Sequence, residues 1–339
     1  MAKILVTGGL GFIGSHTVVE LQNAGHEPVI VDNLSNTTED VLDRITSITQ
    51  QKPQFYKGDL TDRAFIEKLF DQNTDFEGII HFAAFKAVGE SVEKPLEYYH
   101  NNITSLVYLL QQMRDNSIDN FIFSSSCTVY GQAEKLPITE ESPVVPAISP
   151  YGNTKQIGEE VLQDAAKAHQ LNVIALRYFN PIGAHPSAQI GELPLGVPLN
   201  LVPFVTQTAA GVREQLSVFG NDYPTRDGTN VRDYIHVVDV AKAHVVAVER
   251  LVARKNQEPF EVFNLGTGTG STVLEVIQAF EKVSGEKLNY KIAERRSGDV
   301  VAAYADTQKA NKILGWQAEK ALEDAMRDAW RWEKKIRNK

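Results

Sequence analysis

The sequence predicts an α/β protein: a doubly wound parallel sheet followed by a smaller, mixed α/β C-terminal domain. Three observations carry that expectation. A glycine-rich turn joins an apolar, β-prone run to a helical pattern at the start of the chain. Strand-like and helix-like patterns then alternate to about residue 180, as they do when βα units repeat around a parallel sheet. Residues 181–235 turn rich in Gly, Pro, Asn and Asp, which places a domain boundary near 180. With 339 residues the chain has room for one large or two ordinary domains.

Residues 3–7 read as the first strand, and a helical pattern with Val18 and Leu21 ends near Gly25. Between them Gly8, Gly11 and Gly14 stand in the spacing G-x-x-G-x-x-G. Such a turn lets backbone approach a pyrophosphate at a helix N-terminus, whose N–H groups and dipole favour anions. The next strand, Pro28-Val29-Ile30-Val31, ends in Asp32. An acid about 20 positions after the glycines accepts the adenosine ribose hydroxyls and repels a 2′-phosphate, which predicts NAD over NADP. Helix is expected over 38–50 and 62–73, and strand over 54–56 and 78–83. A long helix over about 95–116 and a strand over 120–125 follow, then a helix over about 154–169 and a strand over 172–178. Asp59, Phe82, Ala84 and Lys86 fall at strand ends on one edge, suited to one extended ligand. Residues 235–249 and 261–265 read as a further helix and strand returning to the first domain. Gly266-Thr267-Gly268-Thr269-Gly270 imitates a phosphate loop, but it lacks the lysine and the glycine offset and reads as a turn before a helix over 271–282. The chain closes with an amphipathic helix from about Leu322, carrying Trp330 and Trp332, and a solvated Lys/Arg-rich tail.

Chemistry concentrates in Ser149-Pro150-Tyr151-Gly152-Asn153-Thr154-Lys155. Tyr151 and Lys155 share one face at a helix start. A phenol ordinarily titrates near pH 10, and an adjacent ammonium favours phenolate, so Tyr151 is expected to be a proton acceptor tuned downward by Lys155. Alone, Y-x-x-x-K is more often an exposed helix face; its weight comes from the dinucleotide signals. Ser124, Ser125 and Ser126 end a strand, where hydroxyls can bond a substrate alcohol. Cys127 reads as a small buried residue, with no histidine base placed to activate it. Arg232, Arg295 and Arg296 are the cations expected to meet an anionic ligand.

Composition excludes other classes. A net charge of −9 argues against nucleic acid or an anionic membrane as the main partner. One cysteine rules out an internal disulfide and suits a reducing compartment. No apolar run reaches membrane-spanning length, and the start, Met1-Ala2-Lys3-Ile4-Leu5, lacks a signal-peptide cleavage site. A cytoplasmic protein is expected, with no metal site.

The segments V-T-G-G-L-G-F-I-G-S-H, F-A-A-F-K-A-V-G-E-S, F-S-S-S-C-T-V-Y-G, S-P-Y-G-N-T-K, R-Y-F-N-P-I-G-A-H-P-S, G-T-N-V-R-D-Y-I-H and R-R-S-G-D span nearly the whole chain. Together they resemble the extended short-chain dehydrogenase/reductase superfamily and, within it, the UDP-glucose 4-epimerase family. The resemblance implies a Rossmann-like NAD domain over 1–180, with returns near 235–265, and a UDP-sugar domain over 181–339. It implies interconversion of UDP-glucose and UDP-galactose by transient oxidation at C4 with tightly held NAD. Tyr151 would take the 4-hydroxyl proton, Lys155 would sit by the nicotinamide ribose, and Ser126 would bond the same hydroxyl. NAD contacts implied are Gly8, Gly11, Phe12, Ile13, Gly14, Asp32, Asn33, Asn36, Thr37, Asp59, Leu60, Phe82, Ala83, Ala84, Lys86, Asn101, Ser126, Tyr151, Lys155 and Phe179. Substrate contacts implied are Lys86, Ser126, Tyr151, Asn180, Asn200, Leu201, Val218, Phe219, Arg232, Tyr234, Arg296, Asp299 and Ala303. A homodimer through helices near 95–116 and 154–169 is implied as well.

Two positions depart from the family pattern. Cys127 stands where alanine is commoner, and Ala303 stands where some epimerases carry a tyrosine. The small residue resembles members that also accept N-acetylated sugars, so UDP-GlcNAc and UDP-GalNAc are expected substrates. A 4,6-dehydratase needs an acid and a base where Cys127 and Thr128 stand. A uronate epimerase needs an extra cation, an NAD-sensing regulator has no need of Tyr151 and Lys155, and an interaction scaffold has no need of so many ligand-type residues.

Overall fold

In the first strand, alternation puts Ile4 and Val6 on one face and Leu5 on the other, and both faces are buried. That pattern calls for helices on both sides, and the chain supplies them. The computed structural model of the chain describes residues 1–296 and 299–338. The order opens β1 (Lys3–Thr7), α1 (Phe12–Asn23), β2 (Glu27–Asp32), α2 (Asp40–Thr49), β3 (Gln54–Lys57), α3 (Arg63–Gln72) and β4 (Gly78–His81). It continues α4 (Val88–Glu93), α5 (Pro95–Tyr99), α6 (Ser105–Asp115), β5 (Asn120–Ser126), α7 (Pro150–His169) and β6 (Asn172–Tyr178). Then come β7 (Asn180–Ile182), α8 (Leu201–Ala209), β8 (Leu216–Phe219), β9 (Val231–Arg232), β10 (Tyr234–His236), α9 (Val237–Val252) and β11 (Phe260–Leu265). The last elements are β12 (Ser271–Thr272), α10 (Val273–Ser284), β13 (Tyr290–Ala293), β14 (Ala302–Ala303) and α11 (Leu322–Ile336).

Seven strands form one parallel sheet in the order β11-β6-β5-β4-β1-β2-β3. On one face Ile4, Val6, Ile30, Ile122 and Phe263 meet Val18 and Leu21 of α1 and Val240 and Val248 of α9. On the other, Leu5, Val29, Ile79 and Phe121 meet Leu69 of α3, Leu109 of α6 and Leu162 of α7. The fold class is as the sequence predicts, and the late pair α9 and β11 completes this layer beside α1 and β6. The remaining elements build a second core around Val205, Leu216, Val218, Phe280, Met326 and Trp330, with small sheets β10-β7, β12-β9-β14 and β13-β8.

Several boundaries differ from the sequence expectation: the strand expected over 78–83 ends at His81, residues 271–272 form β12 ahead of α10 rather than its first turn, and three further differences have a clear cause. The long helix over 95–116 is two helices joined by a π-turn at His100–Thr104. There Asn102 bonds both backbone groups of Phe85 and the Thr154 hydroxyl, tying the turn to the loop after β4 and to α7. Helix α7 starts at Pro150 rather than near 154, because the Ser149 hydroxyl caps Gly152 N–H and Pro150 takes the first helical position. The expected C-terminal tail is partly helix, since Lys334 and Lys335 lie in the last turn of α11. Among the described residues no helix is long and apolar enough to cross a membrane.

Candidate active site

Parallel strands end on one edge, and between β1 and β4 the chain's order reverses, which opens a crevice. A cleft of about 1350 Å³ occupies that edge and continues into the second lobe. The glycine turn forms its floor. Gly8 has φ +67°, and a Cβ there would lie 2.8 Å from Ala83 N, so only glycine fits between strand ends. A Cβ on Gly14 would lie 2.2 Å from the Gly8 carbonyl oxygen, which lets α1 begin directly on the turn. The N-cap of α1 is Gly11, which offers no side-chain cap. The first-turn N–H groups of α1 are thus left for a ligand anion.

Along the cleft, Asp32 ends β2 and accepts hydrogen bonds from Leu10 N–H (3.1 Å) and Leu34 N–H (2.9 Å). Burial raises its carboxyl, and those two N–H groups oppose the rise. Burial would raise Asp59 too, but Thr61 and Asn33 donate to its carboxylate and hold it below its ordinary value. Asn33, Asn36, Thr37 and Leu60 line the same end. Next along the wall come Phe82, Ala83, Ala84 and Lys86 after β4, and Asn101 from the π-turn. These groups fit a dinucleotide: a helix N-terminus for a pyrophosphate and a carboxylate with open lone pairs for a ribose.

At the centre α7 lies against the end of β5. Tyr151 faces the cleft one helical turn before Lys155, with the Ser126 side chain beside its phenol; the Ser126 hydroxyl accepts from Thr128 N–H (3.2 Å). Lys155 is 5 % exposed; its Nζ donates to the Ser124 carbonyl (2.7 Å) and sits 6.0 Å from the Tyr151 ring centre. The sequence expectation of a phenol lowered by this ammonium is not met by the chain's own groups. Burial pushes Tyr151 up to about 12, with the Ser126 side chain opposing the rise. Burial also brings Lys155 down to about 8, against the negative charge of Glu159. Cys127 lines the wall with its thiol pushed up to about 12 by burial, a poor nucleophile.

In the second lobe Arg232 and Arg296 converge on Asp299, whose carboxylate lies 3.5 Å from one guanidinium and 3.0 Å from the other. Asn180, Asn200 and Ala303 complete this wall. Arg295, expected beside Arg296, turns away; it donates to Asp222 (2.7 Å) and stacks on Tyr223. Ser297 and Gly298 of the same motif lie outside the described residues.

Several predicted contacts stand off the cleft wall. Phe179 is buried with Val129, Tyr130 and Ile138. Val218 and Tyr234 belong to the second core, the Tyr234 phenol near the charges of Arg232, Asp299 and Arg296. Leu201 opens α8 and packs on that core, and Phe219 lies outside under the Arg296 guanidinium. Sequence reading passed over Tyr178, Thr128 and Glu192, all on the wall. Tyr178 was recoverable as a strand end; Glu192, which accepts from Asn200 (2.6 Å) and faces Lys86 (3.8 Å), lies in a segment without a motif.

The GDP-mannose 4,6 dehydratase family model matches residues 5–329. The UDP-glucose 4-epimerase of Bacillus subtilis is 53% identical, over 97% of this chain and 96% of the relative. The crystal structure of UDP-glucose 4-epimerase from Stenotrophomonas maltophila, with bound NAD and formylated UDP-arabinopyranose, is 46% identical with a TM-score of 0.96, covering 100% of this chain and 99% of that one. The Bifidobacterium longum enzyme in complex with NAD+ and UDP is 46% identical with a TM-score of 0.94, covering 99% of each chain. With that identity over nearly its full length, the chain belongs to the UDP-glucose 4-epimerase family.

Proposed function

We propose that this chain interconverts UDP-glucose and UDP-galactose by oxidising and re-reducing the sugar at C4, with NAD as its resident cofactor. The observation that carries the reading is the meeting of Tyr151 and Lys155, with buried Ser126 beside the phenol, where the dinucleotide-shaped crevice joins the arginine-lined lobe. When bound, NAD would supply a reversible hydride acceptor for the C4 hydrogen and a cationic ring.

The chain's residues do the rest. Tyr151 accepts the 4-hydroxyl proton at its phenol oxygen and later gives it back. Its own surroundings hold the phenol too high for a base at neutral pH, so cationic charge must gather around it before it works. Lys155 supplies part of that charge from its seat on the Ser124 carbonyl. Ser126 links the phenol to the sugar hydroxyl. The 4-keto sugar must turn over while its nucleotide stays fixed. Arg232 and Arg296, aimed by Asp299, hold the diphosphate, and binding remote from the reacting carbon keeps the sugar itself loose. Gly8, Gly11, Gly14, Asp32, Asp59 and Lys86 would hold the dinucleotide. A dehydratase reading fails for want of carboxylates, since Cys127 and Thr128 occupy that place.

Tyr151→Phe tests the base: turnover of UDP-galactose falls about 100- to 10,000-fold, while denaturation of the purified variant releases the wild-type amount of NAD. Epimerisation kept by the variant removes Tyr151 from the role. Ala303 supports a wider substrate range, because its methyl leaves wall space beside the sugar. UDP-GlcNAc and UDP-GalNAc are then substrates as well; pure enzyme that turns over UDP-glucose and leaves UDP-GlcNAc untouched ends that extension. Two copies pair through α6 and α7, where Val107 and Ile157 are half-buried, with Ile103 of the π-turn beside them; sedimentation as a monomer at micromolar concentration contradicts it. The compartment is the cytoplasm, in keeping with the one free thiol.

A further inference from the structure

Three consecutive serines end β5, and three residues spaced one per turn face them from α7. Lys155 Nζ donates to the Ser124 carbonyl at 2.7 Å, the Ser125 hydroxyl donates to Glu159 Oε1 at 2.5 Å, and the Ser126 side chain stands beside the Tyr151 phenol. Glu159 is 4 % exposed and takes no part in the proton transfer described above. Its carboxylate is gripped from β6 by Arg177, whose Nε donates to Oε1 at 2.9 Å and whose Nη2 donates to Oε2. Arg177 Nη1 donates in turn to the Tyr130 hydroxyl (2.9 Å), which donates to Asn264 on β11 (2.7 Å). A buried ion pair adds little net stability, because desolvation offsets the attraction. Its consequence here is geometric: Ser125 and Arg177 both reach the carboxylate in one register of helix on sheet.

We infer that Glu159 is a positioning residue for the epimerisation, fixing the end of β5 against α7 so that Ser126 and Tyr151 meet one sugar hydroxyl. The inference rests on the reading of Tyr151 as the base. The titratable groups facing Lys155 are Tyr151 and Glu159 on its own helix and His81 on β4, while Tyr178 on β6 and Cys127 after β5 face the Tyr151 phenol. Glu159 is the one among them that opposes the effect of burial on the ammonium.

The test is Ser125→Ala, which cuts the strand's tie and leaves the ion pair intact. Expected is a kcat lower by about 10- to 100-fold, as misplacement by a fraction of an ångström costs. KM for UDP-galactose and NAD content stay at wild-type values, the thermal midpoint falls by the few degrees that a lost hydrogen bond to a carboxylate costs, and Ser125→Thr restores both kcat and midpoint. Unchanged kcat in Ser125→Ala overturns the inference, as does a loss of kcat that resists Ser125→Thr. Glu159→Gln gives a readout without turnover. In protein labelled with 13C at lysine Cε, the Lys155 titration moves below its wild-type position near 8. An unmoved titration counts against the inference. Failure of the base reading shows separately, as activity retained in Tyr151→Phe.

Discussion

Gly14→Ala puts one methyl group into the tightest point of the glycine turn. That Cβ would lie 2.2 Å from the Gly8 carbonyl oxygen, 2.9 Å from Gly9 Cα and 3.0 Å from the Gly8 carbonyl carbon. All three are backbone atoms, so no side chain can rotate aside. The turn cannot retreat, because Gly8 already lies against Ala83. The overlap of about 1 Å is relieved when α1 slides along its axis, at a cost of roughly 1–3 kcal/mol for overpacking. The first-turn N–H groups of α1 move with it, away from where the pyrophosphate of NAD would sit. Each hydrogen bond to a charged group is worth about 1.5–3 kcal/mol, so the affinity for NAD falls roughly 10- to 100-fold or more. The assay is NAD released on denaturing dialysed protein, with UDP-galactose conversion measured alongside and again with excess NAD. Gly89→Ala is the control: it lies on α4 in open space, and the change should leave NAD in place. A Gly14→Ala enzyme that purifies with wild-type NAD and wild-type kcat refutes the reasoning, and so does a Gly89→Ala enzyme that loses as much.

Other consequences are as direct. Arg296→Ala should raise KM for UDP-galactose about tenfold, the worth of roughly 1.4 kcal/mol, with little effect on kcat; Arg295→Ala, whose guanidinium is held by Asp222 and Tyr223, should leave both unchanged, and equal effects would deny the difference. Ala303→Tyr fills the wall beside the sugar and should abolish turnover of UDP-GlcNAc while sparing UDP-galactose, as competing-substrate assays will show. Burial holds the imidazoles of His16, His81 and His244 at about 3, 3 and 4, against an ordinary value of 6.5. The unfolded chain therefore takes up protons first as pH falls. The stability is whole above pH 6.5 and is lost towards pH 3, by at most about 1.4 kcal/mol per pH unit for each imidazole. His244→Phe should flatten the decline in urea midpoint between pH 6.5 and 5; an unaltered slope would show that His244 does not contribute.

What could be read from the sequence was local. The turn Gly8–Gly14, the alternation Ile4-Leu5-Val6 and the acid at Asp32 each express a short-range rule, and each element formed where that rule put it. The start of α7 was equally local and was misplaced because the cap was overlooked: Ser149-Pro150 is an N-cap and first-position pair. Other features had no local signal. Arg295 and Arg296 are identical neighbours, yet one stacks on Tyr223 and the other meets Asp299, a choice made by the pairing of β13 with β8. The π-turn at His100–Thr104 depends on Asn102 finding Phe85 and Thr154 far along the chain. The direction of the Tyr151 shift has no local signal either. The spacing Y-x-x-x-K reveals that an ammonium is near, but the burial that raises the phenol belongs to the assembled fold.

Arg232 and Arg296, in the reading proposed above, also account for firm anchoring beside a mobile sugar. Arg232 has Nη1 on the Val231 and Val300 carbonyls (2.8 and 2.9 Å), and Asp299 reaches both guanidinium groups. One carboxylate between two cations leaves a net positive charge for a diphosphate and fixes the direction in which it is offered. Cys127, Thr128, Asn180 and Ala303 also line the cleft, and such short side chains would give a hexose few handholds. A sugar held by its nucleotide at one end and by a single phenol–serine pair at the other can present either face to the same proton acceptor. Strengthening the grip midway would therefore lower KM and slow turnover together, because the ring must leave one pose to reach the other.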